Sequence, residues 1–109
     1  MNYNQGDIVL VPFPFTMGTS SKVRPAIIVS NSKVNNTQDV ILAQITSKPR
    51  RDQFSYLLEN SNLSNSLNLT SQVRCHKIFV VHKTLIQKTI SSLNQEGISE
   101  LRTKIISFL

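Results

Sequence analysis

The stretch Pro25-Ala-Ile-Ile-Val-Ser-Asn-Ser-Lys-Val-Asn-Asn-Thr-Gln-Asp-Val-Ile-Leu-Ala-Gln-Ile-Thr46 decides the fold. It contains two apolar, β-branched runs, 25–31 and 39–46, separated by a polar segment at 32–38. Runs of this length and composition predict two β-strands joined by a turn, and the continuous apolar centre of the first run indicates burial on both faces. No strand–helix–strand alternation that would indicate a parallel sheet accompanies them.

On the N-terminal side, residues 7–13 (Asp-Ile-Val-Leu-Val-Pro-Phe) predict a first strand that ends at Pro12 and Pro14. The small, polar segment 15–22 that follows (Phe-Thr-Met-Gly-Thr-Ser-Ser-Lys) predicts a surface loop. On the C-terminal side, 54–58 and 71–81 predict a fourth and a fifth strand, the latter being the longest. The Asn- and Ser-rich segment 59–70 between them predicts an irregular connection, and 84–88 predicts a single helical turn.

The end of the chain shows the clearest helical pattern. A stripe of apolar residues has helical spacing, and charged residues lie outside it. Asn94 suits the N-cap, Leu93 and Ile98 occupy the positions of a hydrophobic staple, and Gly97 is expected to weaken the first turn by ~1 kcal/mol. Five strands and one late helix predict a mainly β fold, a small barrel or half-barrel with a C-terminal helix, as one domain over 1–109. The stripe consists of Ile98, Leu101, Ile105 and Phe108.

The charge balance indicates a partner rich in phosphate. The chain has 109 residues, with 12 Lys and Arg against 6 Asp and Glu, and a formal charge of +6. Ten of the basic residues but only three of the acids lie between Lys22 and Lys88, which favours a shaped basic surface over a basic tail. Ordinary solubility charge is the alternative. A chain this short buries only a modest core alone, which makes a dimer plausible.

Several classes are disfavoured by what the sequence lacks. It has one cysteine, no signal-peptide pattern at its start and no apolar run as long as a membrane span, so we expect a cytoplasmic protein without membrane attachment. A glycine-rich phosphate loop, a Gly-x-Ser-x-Gly motif and a closely spaced carboxylate pair are all missing. The spacing of Cys75, His76 and His82 matches no zinc pattern, so neither a metal nor a cofactor is expected.

What remains is a set of Arg, Thr and Ser residues in or at the ends of strands. Arg24 begins the second predicted strand, Thr46 and Ser47 end the third, and Arg74 lies in the fifth. RNA is cleaved without a metal when its own 2′-hydroxyl attacks the neighbouring phosphate and the added negative charge is stabilised. Guanidinium and hydroxyl groups supply that stabilisation, and Arg grips two phosphate oxygens where Lys grips one. Ordinary surface positions at strand ends are the alternative reading.

At these residues the sequence resembles the MazF/PemK toxins of bacterial toxin–antitoxin pairs. The matching segments are Gly6-Asp-Ile-Val-Leu-Val-Pro-Phe-Pro-Phe15, Lys22-Val-Arg-Pro-Ala-Ile-Ile-Val-Ser30, Ala43-Gln-Ile-Thr-Ser47 and Ser71-Gln-Val-Arg74. The resemblance implies an SH3-like barrel that works as a homodimer and cuts single-stranded mRNA at a short sequence, leaving 2′,3′-cyclic phosphate and 5′-hydroxyl ends. It also implies an acidic antitoxin as partner, with operator DNA bound only through the complex with that antitoxin.

The resemblance assigns roles to individual residues. The catalytic Arg of the family's Arg-Pro motif falls on Arg24, and its catalytic hydroxyl falls on Thr46. The loop 15–22 corresponds to the segment that borders the RNA site in the family and is displaced by antitoxin. The residues expected to contact RNA are Phe15, Thr16, Lys22, Ser47, Lys48, Arg50, Gln72, Arg74 and His76.

The chain departs from the family after Gln-Val-Arg, where many members continue with Thr, an apolar residue and Asp but this chain has Cys75, His76 and Lys77. The base preference of a relative is therefore not transferable. His76 is expected to be a hydrogen-bonded surface residue more readily than a proton donor. Arg50 and Arg51 either contact flanking phosphates or keep the loop solvated. Two other functions stay open: a topoisomerase-binding toxin of the CcdB type without nuclease activity, and a nuclease-dead relative that only binds nucleic acid.

Overall fold

The computed structural model describes residues 2–13 and 22–109, and within them the chain forms six strands and two α-helices. Short 3₁₀ turns at Asn60–Asn62 and Lys83–Leu85 connect some of these elements. The strands are β1 (Asp7–Pro12), β2 (Val23–Ile28), β3 (Asp39–Thr46), β4 (Ser55–Leu58), β5 (Ser71–His82) and β6 (Lys88–Ser92); the helices are α1 (Ser32–Asn35) and α2 (Gln95–Ile106).

All the strand pairs are antiparallel, and the sheet has the order β4-β5-β3-β2-β1-β6. The sheet curls into a half-barrel. The connection 59–70 follows one edge strand, β4, and forms hydrogen bonds with the other edge strand, β6, and with the residue before α2. The Ser64 amide donates to the carbonyl of Ser92 at 2.9 Å, and the Asn94 amide donates to that of Asn62 at 2.8 Å. The Asn-rich connection is irregular because it satisfies backbone groups of β6 and α2 rather than forming a strand of its own.

The two faces of the sheet carry separate apolar clusters. Alternate residues such as Ile27 and Ala43 pack beneath α2, together with Leu101 and Ile105 of the helix. The intervening residues, such as Ala26, belong to a second cluster on the other face of the sheet. Because successive strand residues point to opposite faces, both faces of β2 and β3 are apolar, as the continuous apolar run predicts. The second cluster contains Val9, Val11, Phe13, Ala26, Ile28, Val40, Leu42 and Val81.

Helix α2 begins where the sequence predicts. The Asn94 side chain accepts a hydrogen bond from the Gly97 amide at 2.9 Å, which is N-cap geometry. Gly97 is buried, and a Cβ there would lie 2.6 Å from Leu93, so this glycine allows close packing of the first turn on the residue before the cap. The other end is tied to β4, because Lys104 Nζ donates to the carbonyl of Ser55 at 2.7 Å.

The mainly β prediction with a C-terminal helix is confirmed, in the half-barrel form, but four details were wrong. The sheet has six strands, not five, because Lys88–Ser92 pairs with β1. The predicted helical turn at 84–88 is instead a 3₁₀ turn followed by the start of this strand. Strand β2 spans Val23–Ile28 rather than 25–31, and the predicted turn 32–38 contains α1. A short, polar edge strand such as β6 has little apolar alternation in its sequence, so its strand conformation depends on pairing with a neighbouring strand.

Candidate functional site

The sheet register brings Arg24 and Thr46 together from adjacent strands. Ala26 of β2 pairs with Gln44 of β3, and this register continued by two residues places Arg24 opposite Thr46. Side chains directly opposite on one face of an antiparallel pair have Cβ atoms roughly 4.5–5.5 Å apart. Both side chains belong to the face that carries the second apolar cluster, where that cluster ends and polar residues begin. The β2–β3 ladder itself ends at Ala26 and Gln44, and just beyond it both members of the predicted catalytic pair line one cleft.

The Thr46 hydroxyl is held by its own turn. Its Oγ1 accepts a hydrogen bond from the Lys48 amide at 3.1 Å, and the side chain is half-buried. A hydroxyl carries one donor hydrogen and two acceptor lone pairs, so this bond leaves the hydrogen available for an outside acceptor. A phosphate oxygen has only acceptors and suits that donor. The same bond fixes the direction in which the chain leaves β3.

A cleft of about 290 Å³ surrounds this pair, and four of its lining side chains are cationic. Within the described part of the chain, none of the four forms an ion pair, and the lining contains no carboxylate. A concentration of unpaired positive charge in a concave surface attracts an anion strongly. The lining residues are Phe13, Arg24, Gln44, Thr46, Lys48, Arg50 and Lys77.

Lys77 and Gln44 belong to this cleft although the sequence reasoning did not select them. The β3–β5 ladder goes from the pair Ala43–Ile78 directly to Gln44–Arg74, so residues 75–77 of β5 bulge out of the ladder. A bulge changes the direction of side chains that simple alternation would fix. The side chains of residues 75–77 consequently do not follow simple alternation between the two faces, and that of Lys77 reaches the cleft. No local sequence pattern predicts this bulge. The sequence shows the cluster of basic residues but does not show that Lys77 enters the cleft.

Arg74 is placed differently from the prediction, because it fastens the β3–β4 loop. Its guanidinium donates to both carboxylate oxygens of Asp52, at 3.0 and 3.1 Å, and Nη1 also donates to Ser55 Oγ at 2.6 Å. The hydrogen bond from Arg74 holds the pKa of the Asp52 carboxyl below its usual range. The side chain of Arg74 is only 11% exposed. Among the described residues, Arg74 thus holds the β3–β4 loop beside the site and does not line the cleft.

Ser47 and Gln72 lie in a second pocket, on the other side of the turn that follows β3. Gln72 pairs with Thr46 across the β3–β5 ladder, and its Oε1 accepts from the Arg50 amide at 3.2 Å. The predicted contact residues therefore divide into two adjoining cavities. The members of the second pocket are Ser47, Pro49, Leu69, Thr70 and Gln72.

Two other predicted residues that the structure describes, His76 and Lys22, line neither cavity. His76 is exposed and stacks on Phe54, with ring centroids 4.1 Å apart and planes inclined by 30°. Desolvation, with the nearby charges of Arg74 and Lys77, lowers the pKa of His76. Lys22 is exposed, and its carbonyl accepts from the Phe13 amide at 2.9 Å. The predicted contacts of Phe15 and Thr16 lie outside the described residues.

Among residues 2–13 and 22–109, no three His, Cys, Asp or Glu side chains are grouped so that they could hold a metal ion. In the same residues, no helix has the length and apolar character needed to cross a membrane.

The sequence profile described as PemK-like, MazF-like toxin of type II toxin–antitoxin systems matches residues 4–109, which is nearly the whole chain. No curated protein sequence matches.

Solved structures share the fold at low sequence identity. An endoribonuclease from a mycobacterial species, in complex with its cognate antitoxin, superposes with a TM-score of 0.79 at 18% identity, covering 96% of this chain and 92% of that one. MazF from Deinococcus radiodurans gives 0.77 at 18% identity, covering 99% and 96%. The Mycobacterium tuberculosis toxin MazF-mt6 gives 0.74 at 20% identity, covering 93% of each chain.

Proposed function

Because the chain belongs to the PemK-like, MazF-like toxin family of type II toxin–antitoxin systems, we propose that it is an endoribonuclease that cleaves single-stranded mRNA without a metal. The observation that carries the proposal is the juxtaposition of Arg24 and Thr46 in a cleft whose other charges are Lys48, Arg50 and Lys77. Two solved structures with the same fold are described as endoribonucleases, which supports the assignment.

The chemistry follows from the groups present. The RNA 2′-hydroxyl gives its proton to water and attacks the adjacent phosphorus, and the phosphorane gains negative charge. The bond from phosphorus to the 5′-oxygen then breaks and that oxygen takes a proton from water, so the products carry a 2′,3′-cyclic phosphate and a 5′-hydroxyl. The Arg24 guanidinium donates to two phosphorane oxygens, and the Thr46 hydroxyl donates to one. Donors aimed at developing charge are worth most when they are held in place beforehand, as the bond from the Lys48 amide holds Thr46.

The test is cleavage of a long single-stranded RNA in the presence of EDTA, with the cut sites and end groups mapped. Arg24→Ala should keep the fold, because this side chain is exposed, and should lower the cleavage rate by about 10²–10³-fold, as loss of an oxyanion donor does. Lys33→Ala removes an exposed cation from α1, outside the cleft, and serves as the control. Undiminished cleavage by a folded Arg24→Ala protein would refute the assignment.

Thr46→Val keeps the shape of the side chain and removes its hydroxyl, so it separates hydrogen bonding from packing. We expect a rate loss of the same order as for a single donor. Absence of any RNA cleavage by the wild-type protein, free of antitoxin, would instead favour topoisomerase binding or simple nucleic-acid binding.

An acidic antitoxin is the proposed regulator, since it is complementary in charge to the cleft. Structures of relatives in complex with antitoxins support a partner of this kind. Operator DNA would be bound by the toxin–antitoxin complex and not by this chain alone. An acidic segment that occupies the cleft competes with RNA, so binding of the two should be mutually exclusive in an anisotropy competition.

A homodimer is the proposed assembly, and an exposed apolar patch supports it. Ile41 of β3 lies between Val80 of β5 and Val29, the residue that follows β2, and Val80 is 60% exposed. Ile106 of α2, also 60% exposed, shares an apolar pocket with Val29. Contiguous exposed apolar surface of this kind marks a protein interface.

The dimer is tested by light scattering on Val80→Asp, which places a charge in the patch. The variant should be monomeric at concentrations where the wild-type protein is dimeric. Leu85→Asp alters a leucine of similar exposure outside the patch and should leave the dimer intact. A dimeric Val80→Asp protein would place the interface elsewhere.

A further inference from the structure

We propose that the pocket formed by Ser47, Pro49, Leu69, Thr70 and Gln72 binds one nucleobase of the RNA and prefers a base with a carbonyl oxygen over adenine. This inference rests on the proposed ribonuclease function, and it adds a specificity determinant to it. The pocket adjoins the cleft because Thr46 lines one cavity and the next residue, Ser47, lines the other. An RNA chain whose phosphate contacts Arg24 and Thr46 therefore carries a neighbouring base toward this pocket.

The shape and lining of the pocket suit a base. Its volume is about 300 Å³, which is at the lower end of the range for small-molecule sites. Leu69 is 64% exposed, and the Ser71 hydroxyl donates to its backbone carbonyl at 2.9 Å, which ties the chain there to the start of β5. Together with Pro49 it offers an apolar wall against which a flat ring can pack. Unstacked bases of single-stranded RNA are bound in this way, with polar groups reading their edges.

The side-chain amide of Gln72 determines whether the pocket offers a hydrogen-bond donor or an acceptor to the base. Its amide oxygen accepts from the Arg50 amide, and a backbone N–H requires an acceptor, which fixes the side-chain orientation. Among the described residues, the Gln72 Nε2 hydrogens donate to no protein acceptor, so they are what the side chain offers to the pocket. A donor pairs with the carbonyl oxygen of uracil, guanine or cytosine, whereas adenine has no carbonyl. The hydroxyls of Ser47 and Thr70 adapt to either type of edge.

The substitution Gln72→Glu tests this logic directly. A carboxylate still accepts from the Arg50 amide, so the loop is retained, but the group offered to the pocket becomes an acceptor. The experiment maps cleavage sites in a randomised RNA library for the wild-type protein, for Gln72→Glu and for Leu69→Ala, with Leu85→Ala as the matched control for an exposed leucine outside the pocket. Circular dichroism verifies that each variant is folded.

For Gln72→Glu we expect the preference at one position beside the cut to shift about tenfold from carbonyl-bearing bases toward adenine. Leu69→Ala should relax selectivity at that same position, and Leu85→Ala should leave it unchanged. An unchanged preference in a cleaving Gln72→Glu protein would overturn the inference while leaving the ribonuclease proposal intact.

If the wild-type protein cleaves no RNA, the ribonuclease proposal fails, but the base preference of the pocket can still be tested by RNA binding. The probes are then 2′-O-methyl oligouridine and oligoadenosine, compared by fluorescence anisotropy. Tighter binding of oligouridine that Gln72→Glu abolishes would support the pocket. Equal binding of the two by the wild-type protein would refute it.

Discussion

Lys77 was absent from the sequence prediction and is supplied to the cleft by the bulge in β5, so its contribution to RNA binding is a direct test of the site. Four cations line the cleft, and each phosphate neutralised on a single strand contributes a slope of roughly −0.7 to the dependence of log K on log salt. If all four engage phosphates, the slope is roughly −2.8, and affinity falls ~50-fold between 50 and 200 mM salt.

The perturbation is Lys77→Gln, which removes the charge and keeps a side chain of similar length. The slope should become roughly −2.1, so that the same increase in salt weakens binding only ~20-fold. The assay is fluorescence anisotropy with a 2′-O-methyl oligonucleotide, which cannot be cleaved because its 2′-oxygen is blocked. The salt series separates a lost phosphate contact from a general change in fold, which would leave the slope unchanged.

The matched control is Lys33→Gln, which makes the same charge change on α1, at the end of β3 opposite to Thr46. Its slope should equal that of the wild-type protein. Equal slopes for Lys77→Gln and the wild-type protein would refute the assignment of Lys77 to the phosphate path, whatever the absolute affinities are.

Three further outcomes concern the structure that supports the site. Gly6 has a φ of +96°, and a Cβ there would lie 2.5 Å from Ile98, so Gly6→Ala should lower the free energy of unfolding in urea by about 2–5 kcal/mol. The Asp52 pKa is lowered mainly by its hydrogen bond from Arg74, so the contribution of this carboxylate to stability is complete above the ordinary Asp pKa and is lost as pH falls through the lowered one. Asp52→Asn should therefore be less stable than wild type at neutral pH, with the gap closing in acid denaturation curves; a constant gap would argue against the ion pair. Burial raises the pKa of the Cys75 thiol, so it should react with a disulfide reagent only after unfolding, and rapid reaction of the native protein would contradict its place in the core.

The sequence by itself determined the fold class and was enough to select the proposed catalytic pair. The apolar runs of β1 to β5 are visible because a strand buried on one or both faces must carry β-branched and apolar residues, whatever its neighbours are. The N-cap at Asn94 is equally local, since it depends on one side chain and an amide three residues later. Arg24 and Thr46 were selected as strand-end residues that a family resemblance supported, and their proximity depends only on the β2–β3 register.

Tertiary structure alone decided which basic residues share the cleft. Lys77 enters it through a bulge, and Arg74 is directed to Asp52 and Ser55, which are distant in the sequence. Strand β6 escaped prediction for a related reason: its short, polar sequence becomes a strand because β1 offers it an unpaired edge. Local patterns record which residues need burial, whereas the direction of a side chain on a bent strand depends on pairing partners that only the folded chain brings together.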